Sequence, residues 1–227
     1  MYKNAKTCAP AARADAVHRR IGKSLLSLAI AGTVSHAAWA QSKISDDIVK
    51  VGVLTDMSGA YADFTGQGAV IAARMAIEDF SKNGTVAGKK IELVSADHQN
   101  KADIGAERAR SWFDREKVDV ITELVTTNVA LAVMDIAEQK NKVALVSGSA
   151  AQVITNERCS PNAVHWVYDS YGLASGTAKA IVQSGKKDWY FIAADYAAGA
   201  AMMNDASQVV KANGGNGYDY LLTTFIP

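Results

Sequence analysis

Two cysteines in 227 residues exclude a disulfide-dense scaffold. A surplus of one charge is also missing. Lys and Arg number 24 against 23 Asp and Glu, a formal net charge of +1, whereas a nucleic-acid binder would show a basic surplus or patch. Apolar residues at 49% and charged residues at 21% argue against disorder, collagen or a coiled coil. No apolar run reaches the ~20 residues that a membrane-spanning helix needs. Histidine is scarce, and HExxH, CxxC and paired-His spacings are absent, so no metal site is expected. A P-loop is absent. Gly66-Gln67-Gly68 begins a GxGxx pattern, but Ile71 occupies the third glycine position, and ordinary helix entry explains it better. Gly148-Ser149-Ala150 is not a nucleophile elbow, because Ala151 stands where the last glycine belongs. No carboxylate pair is set by spacing as acid and base. These absences argue against an enzyme and leave no cofactor implied.

What is present begins with an uneven charge distribution. Residues 1–40 hold six basic residues and one acid, Asp15. The apolar stretch Leu25 to Val34 follows, then Ala38-Trp39-Ala40 and Gln41. A basic start, a short apolar core and an A-x-A site describe a secretory signal peptide, with cleavage expected after Ala40. Arg19-Arg20 is not a twin-arginine signal, because Lys23 falls one place early. The remaining 41–227 carries a formal charge of about −4 and is expected in the periplasm. Cys8 leaves with the leader, so Cys159 is expected to stand alone.

From Ile48 the chain alternates. Strands are expected at 48–54, 90–96, 118–124, 143–147, 164–167, 189–194 and 218–224. Helices are expected near 70–80 and at 102–115, 128–139, 173–184 and 201–213. Val70, Ala73, Ile77 and Phe80 share a stripe in the first helix, and Ala130, Met134 and Ala137 in the third. The first strand reads as covered on both faces. Such alternation means βαβ units, parallel sheets and helices on both faces. Ligands then bind beyond the carboxyl ends of the strands. The loops there carry Thr126-Thr127-Asn128, Ser147 and Ser149, Tyr168-Asp169 with Tyr171, and Asp195-Tyr196. Thr126 to Asn128 open a helix, where free N–H groups and the helix dipole favour a carboxylate. A single Thr there is also a common helix cap. Glu123 either meets a ligand amine or is solvated.

Val49-Lys50-Val51-Gly52-Val53-Leu54 with Met57-Ser58-Gly59, Ala76-Ile77-Glu78-Asp79, Gly88-Lys89-Lys90-Ile91, Cys159-Ser160-Pro161-Asn162, His165-Trp166, Tyr168-Asp169-Ser170-Tyr171 and Ala193-Ala194-Asp195-Tyr196 together resemble the type I periplasmic solute-binding proteins of ABC transporters. The resemblance is to the Leu/Ile/Val-binding group, and to a branch that includes receptors for aromatic carboxylates as well as amino acids. It runs over 46–215. It implies two α/β lobes, each a parallel open sheet flanked by helices, closing on a ligand by a hinge. The first lobe would be 41–167 and the second would start at 168, incomplete at 227. The implied ligand is a branched-chain amino acid or an aromatic or other organic acid, passed to an ABC permease in the inner membrane. The implied ligand-binding residues are Phe64, Thr126, Thr127, Ser147, Ser149, Ala150 and Tyr196, with Tyr168 and Asp169 where the chain crosses between lobes. The family threonine of the second carboxylate loop is replaced near Ala150-Ala151, which weakens the amino-acid assignment. A sensory ligand-binding domain of the same fold, or an α/β enzyme, are the alternatives.

Overall fold

The computed structural model describes residues 47–82, 84–86 and 88–223. The leader and its cleavage site lie outside them. Seven strands and five α-helices alternate as expected: β1 Ile48–Thr55, α1 Gly66–Ser81, β2 Lys90–Asp97, α2 Ala102–Asp114, β3 Val120–Glu123, α3 Thr127–Gln139, β4 Val143–Val146, β5 Ala163–His165, α4 Ser170–Gln183, β6 Asp188–Ala194, α5 Ala197–Ala212 and β7 Asn216–Thr223. A 3₁₀ turn, Gln152–Ile154, lies between β4 and β5. Among the described residues no helix is long and apolar enough to cross a membrane.

The first five strands form one parallel sheet in the order β2-β1-β3-β4-β5, and β6 and β7 form a second parallel pair. Thr55 pairs with Asp97, Leu54 with Glu123, Glu123 with Val146, and Val146 with His165. The register thus aligns the carboxyl ends of all five strands along one edge.

The main core lies between this sheet and the packed pair α2 and α3. Trp112, Leu54, Ile121, Leu124 and Met134 are its largest fully buried side chains. Ala130, Met134 and Ala137 are all buried, as the spacing of α3 implies. The Ala- and Arg-rich character of 102–115 conceals that Trp112 and Phe113 anchor α2. Gly52 has a packing reason, because a Cβ there would sit 2.5 Å from the Trp112 ring.

Cover on both faces holds only in part. The carboxyl half of β1 is buried, but in β4 Ala144 and Val146 are buried while Val143 and Leu145 are exposed. One face of β4 therefore meets α3 and the other meets water. The stripe expected along α1 is also only partly buried. Val70 is buried and Ala73 and Ile77 are half-buried, but Phe80 is exposed. The physical reason is position: α1 packs over β1 and the edge strand β2, so its far end overhangs the sheet.

The second sheet is covered by α4 and α5, around Ala178, Val182, Val209 and Val210, with Trp189 and Phe191 against them. Tyr190 and Ile192, on the alternate face, are exposed. α4 starts at Ser170, three residues earlier than the apolar pattern marks, because Asp169 caps it by accepting the Gly172 N–H at 2.6 Å. Cys159 is disulfide-bonded rather than free. The expectation of a lone Cys159 assumed loss of the leader, and Cys8, the other cysteine of the sequence, lies outside the described residues.

A buried polar seam joins the two sheets. Asp205 on α5 is 1% exposed. It accepts from the Ser170 hydroxyl at 2.5 Å and from the Gln152 side-chain amide. The Ser170 oxygen accepts the Gln152 backbone N–H at 3.1 Å, and the Ser170 N–H reaches the Ala150 carbonyl at 2.6 Å. Burial pushes the Asp205 carboxyl up, its Ser170 hydrogen bond opposes this, and the nearby acids Asp169 and Glu157 add to the rise.

Two outcomes follow from this packing. Gly52→Ala forces a methyl into the Trp112 ring, and denaturant melts should show a loss of about 1–3 kcal/mol. Asp205→Ala strands Ser170 and Gln152 and should cost about 1.5–3 kcal/mol for each lost charged hydrogen bond; an unchanged melting midpoint would contradict the seam.

Candidate functional site

The turn from β3 into α3 is short and strained. Glu123 and Leu124 have φ of 84° and 58°, left-handed values that cost a non-glycine residue roughly 1–3 kcal/mol each. This lets α3 begin at Thr127, directly beyond the strand end. Thr126 takes the N-cap position in an extended conformation, but its side chain makes no capping hydrogen bond. Thr126 and Thr127 are 2% and 0% exposed, and neither Oγ1 has a hydrogen-bond partner among the described residues. The first N–H groups of a helix also lack intrahelical acceptors. Two shielded hydroxyls therefore stand with unsatisfied N–H groups at the positive end of a helix dipole. A structural cap would have used its hydroxyl, and Thr126 does not.

The loop after β4 is tied to the same turn. The Ser147 and Gly148 N–H groups donate to the Glu123 carbonyl at 3.1 and 3.0 Å. The Ser147 hydroxyl donates to Glu123 Oε2 at 3.1 Å, and the Ser149 hydroxyl to the Leu124 carbonyl at 2.5 Å. His165 Nε2 lies 2.6 Å from the Ser149 carbonyl, which makes it the donor. Gly148 is compelled, because a Cβ would sit 2.6 Å from Val125 Cα and 2.8 Å from Glu123 Oε1. Glu123 is 9% exposed, so the solvated alternative for it falls away. Burial pushes its carboxyl up, partly offset by Ser147.

The loop after β1 is organised by two carboxylates. Buried Asp56 accepts the N–H groups of Gly59 at 2.8 Å and Tyr61 at 3.0 Å. Asp97, at the end of β2, accepts from Met57 N–H, the Ser58 hydroxyl and Gln99 N–H. Burial works to raise its carboxyl, but these hydrogen bonds outweigh it and hold Asp97 below the usual range. His98 beside it is fully buried, and burial keeps its imidazole below the ordinary histidine value.

The predicted residues therefore separate. Thr126, Thr127, Ser147, Ser149 and the half-buried Ala150 come together at the carboxyl ends of β3 and β4. Ser149 spends its hydroxyl hydrogen on the main chain. Phe64 is 70% exposed and Tyr168 is 55% exposed. Asp169 is occupied as the α4 cap. Tyr196, the residue before α5, meets a group that sequence reasoning did not single out, Tyr61. Their hydroxyls lie 2.5 Å apart and their rings are edge-to-face with centroids 6.4 Å apart. Burial and the bond to Tyr196 push the Tyr61 phenol up. No spacing motif marks Tyr61; the only signal was an aromatic in a loop at a strand's carboxyl end. A cavity of about 180 Å³ lined by Ile154, Thr155, Cys159, Ser160, Ala163 and His165 includes none of the predicted residues. Among the described residues no group of three His, Cys, Asp or Glu is placed to hold a metal.

A search of curated proteins finds no match. Among solved structures, a periplasmic binding protein from Burkholderia mallei is 46% identical with a TM-score of 0.75, over 80% of this chain and 48% of that one. A branched chain amino acid ABC transporter periplasmic ligand-binding protein from Burkholderia xenovorans LB400 is 35% identical with a TM-score of 0.67, over 79% and 47%. An ABC transporter solute-binding protein from R. palustris in complex with benzoate is 26% identical with a TM-score of 0.70, over 79% and 49%. The chain thus spans about half the length of these structures. The family model for periplasmic binding proteins matches residues 48–227. With that match, the parallel sheets and the cluster at their carboxyl edge, the chain belongs to the periplasmic binding protein family.

Proposed function

We propose that this protein is the substrate-binding component of an ABC transporter, which captures a small carboxylate in the periplasm and delivers it to an inner-membrane permease without chemistry on the ligand. The observation that carries this reading is the pair of buried, unpartnered threonine hydroxyls, Thr126 and Thr127, at the amino end of α3. An unsatisfied buried hydroxyl costs roughly 1–3 kcal/mol. A carboxylate seated there recovers that cost and gains the helix N–H groups and dipole. On this reading Ser147 and the backbone of Ser149 and Ala150 complete the grip. Phe64 and Tyr196 supply the aromatic walls. The first lobe ends near 167, and Tyr168 and Asp169 begin the crossover into the second. The relatives named for benzoate and for branched-chain amino acids mark the two ligand classes. The replacement near Ala150-Ala151 favours an aromatic or other organic acid. A second reading, an amino acid, draws support from Glu123, a buried carboxyl beside the same turn that suits a ligand ammonium.

Thr127→Val separates a ligand role from a structural one. Replacing an unpartnered hydroxyl by a methyl of the same shape is near neutral for folding, so the melting temperature should hold or rise. Affinity should fall roughly ten- to a hundredfold, the worth of a hydrogen bond to a charged group. Calorimetric titration with benzoate, 4-hydroxybenzoate and leucine measures it. A lowered melting temperature with unchanged affinity would make Thr127 a structural residue and defeat the proposal.

The raised carboxyl of Glu123 gives a pH test between the two readings. An ammonium stabilises ionised Glu123, so leucine, as ligand, should bind more tightly as pH rises through that raised range. Benzoate carries no cation and is repelled by the ionised group, so its affinity should fall over the same range. Glu123→Gln should flatten either profile.

A further inference from the structure

Tyr61 has no part in the carboxylate grip, and Tyr196 enters it only as an aromatic wall, so their mutual contact is left unexplained by ligand binding. The two residues stand 135 positions apart. Tyr61 lies in the loop after β1 of the five-stranded sheet, and Tyr196 lies two residues past the end of β6 of the two-stranded one. Each is held on a short, braced stub. On one side, Asp56 fixes the Tyr61 N–H, and Gly59 is compelled because a Cβ there would meet the Asp56 carboxylate at 2.6 Å. On the other, the Tyr196 N–H turns back to the Ala194 carbonyl at 2.9 Å, and a Cβ at Gly199 would approach that same oxygen to 2.0 Å. These constraints fix where each main chain stands, and from those two positions the hydroxyls meet at 2.5 Å.

We infer that Tyr61 is a positioning residue for ligand capture, its hydroxyl latching Tyr196 across the cleft so that the two sheets close over the carboxylate site. This rests on the two-lobe reading given above. The chemistry suits a latch that must reopen. Both side chains are half-buried, and when the pair parts each phenol regains a hydrogen bond from water. The net worth of the bond is then small, unlike that of the buried charged seam at Asp205. The hydrogen bond itself joins two neutral hydroxyls and is little screened by salt.

The test needs no ligand, so its failure is distinguishable from failure of the carboxylate reading. Brief photo-oxidation of the dilute protein, followed by peptide mass spectrometry, should yield an intramolecular dityrosine joining the peptides that carry Tyr61 and Tyr196. Tyr61→Phe and Tyr196→Phe should each abolish it. Hydrogen exchange supplies the readout that a local role would not move. Tyr61→Phe should accelerate exchange across the cleft, in 195–200, by about two- to tenfold, the worth of one hydrogen bond, and Tyr196→Phe should do so in 58–65. Absence of the Tyr61–Tyr196 cross-link, or faster exchange confined to the mutated loop, would overturn the latch.

Discussion

A parallel sheet sends every strand out through the same edge, and the rest of this molecule depends on that constraint. Pairing of Leu54 with Glu123, Glu123 with Val146 and Val146 with His165 brings the strand ends level. Five loops must then leave from one line, and helices must start there with their N–H groups unpaired. The edge is polar by necessity. Its polar groups differ in how many hydrogen bonds the surrounding protein gives them.

That count is uneven. Ser149 and Asp169 read as ligand groups in the sequence, yet each side chain is engaged with neighbouring protein, as are Asp56 and Asp97 beside them. They shape loops. Thr126 and Thr127 lie among them with buried hydroxyls that have no partner among the described residues, just past the strained pair Glu123 and Leu124. Strain and unsatisfied polarity at one turn are both costs to folding, and functional sites are where such costs concentrate.

Among the described residues, two of the contacts that join the sheets differ in character. At Asp205 a buried carboxylate is surrounded by donors from the 3₁₀ turn and the start of α4. Parting it gives up hydrogen bonds to a carboxylate, which are stronger than those between neutral groups. At Tyr61 and Tyr196 a neutral, half-exposed pair can exchange its bond for water at little cost. On the proposed two-lobe reading, a strong joint and a reversible contact are what a hinge closing over a ligand needs.

Much of this was legible in the sequence. The order of strands and helices followed from runs such as Val49 to Leu54 and from the spacing of Ala130, Met134 and Ala137, because local burial writes its period into the chain. The carboxyl-edge location of the threonines followed from that order alone. Tertiary structure decided the rest. Phe80 sits on the right stripe but overhangs an edge strand. Gly52 is a glycine because Trp112, sixty residues later, lies against it. Thr126 is at a cap position yet does not cap. Tyr61 gains its role only when β6 brings Tyr196 to it. Periodicity records which face of an element is covered, but contacts between distant segments depend on where the sheets stand, and no local pattern encodes that.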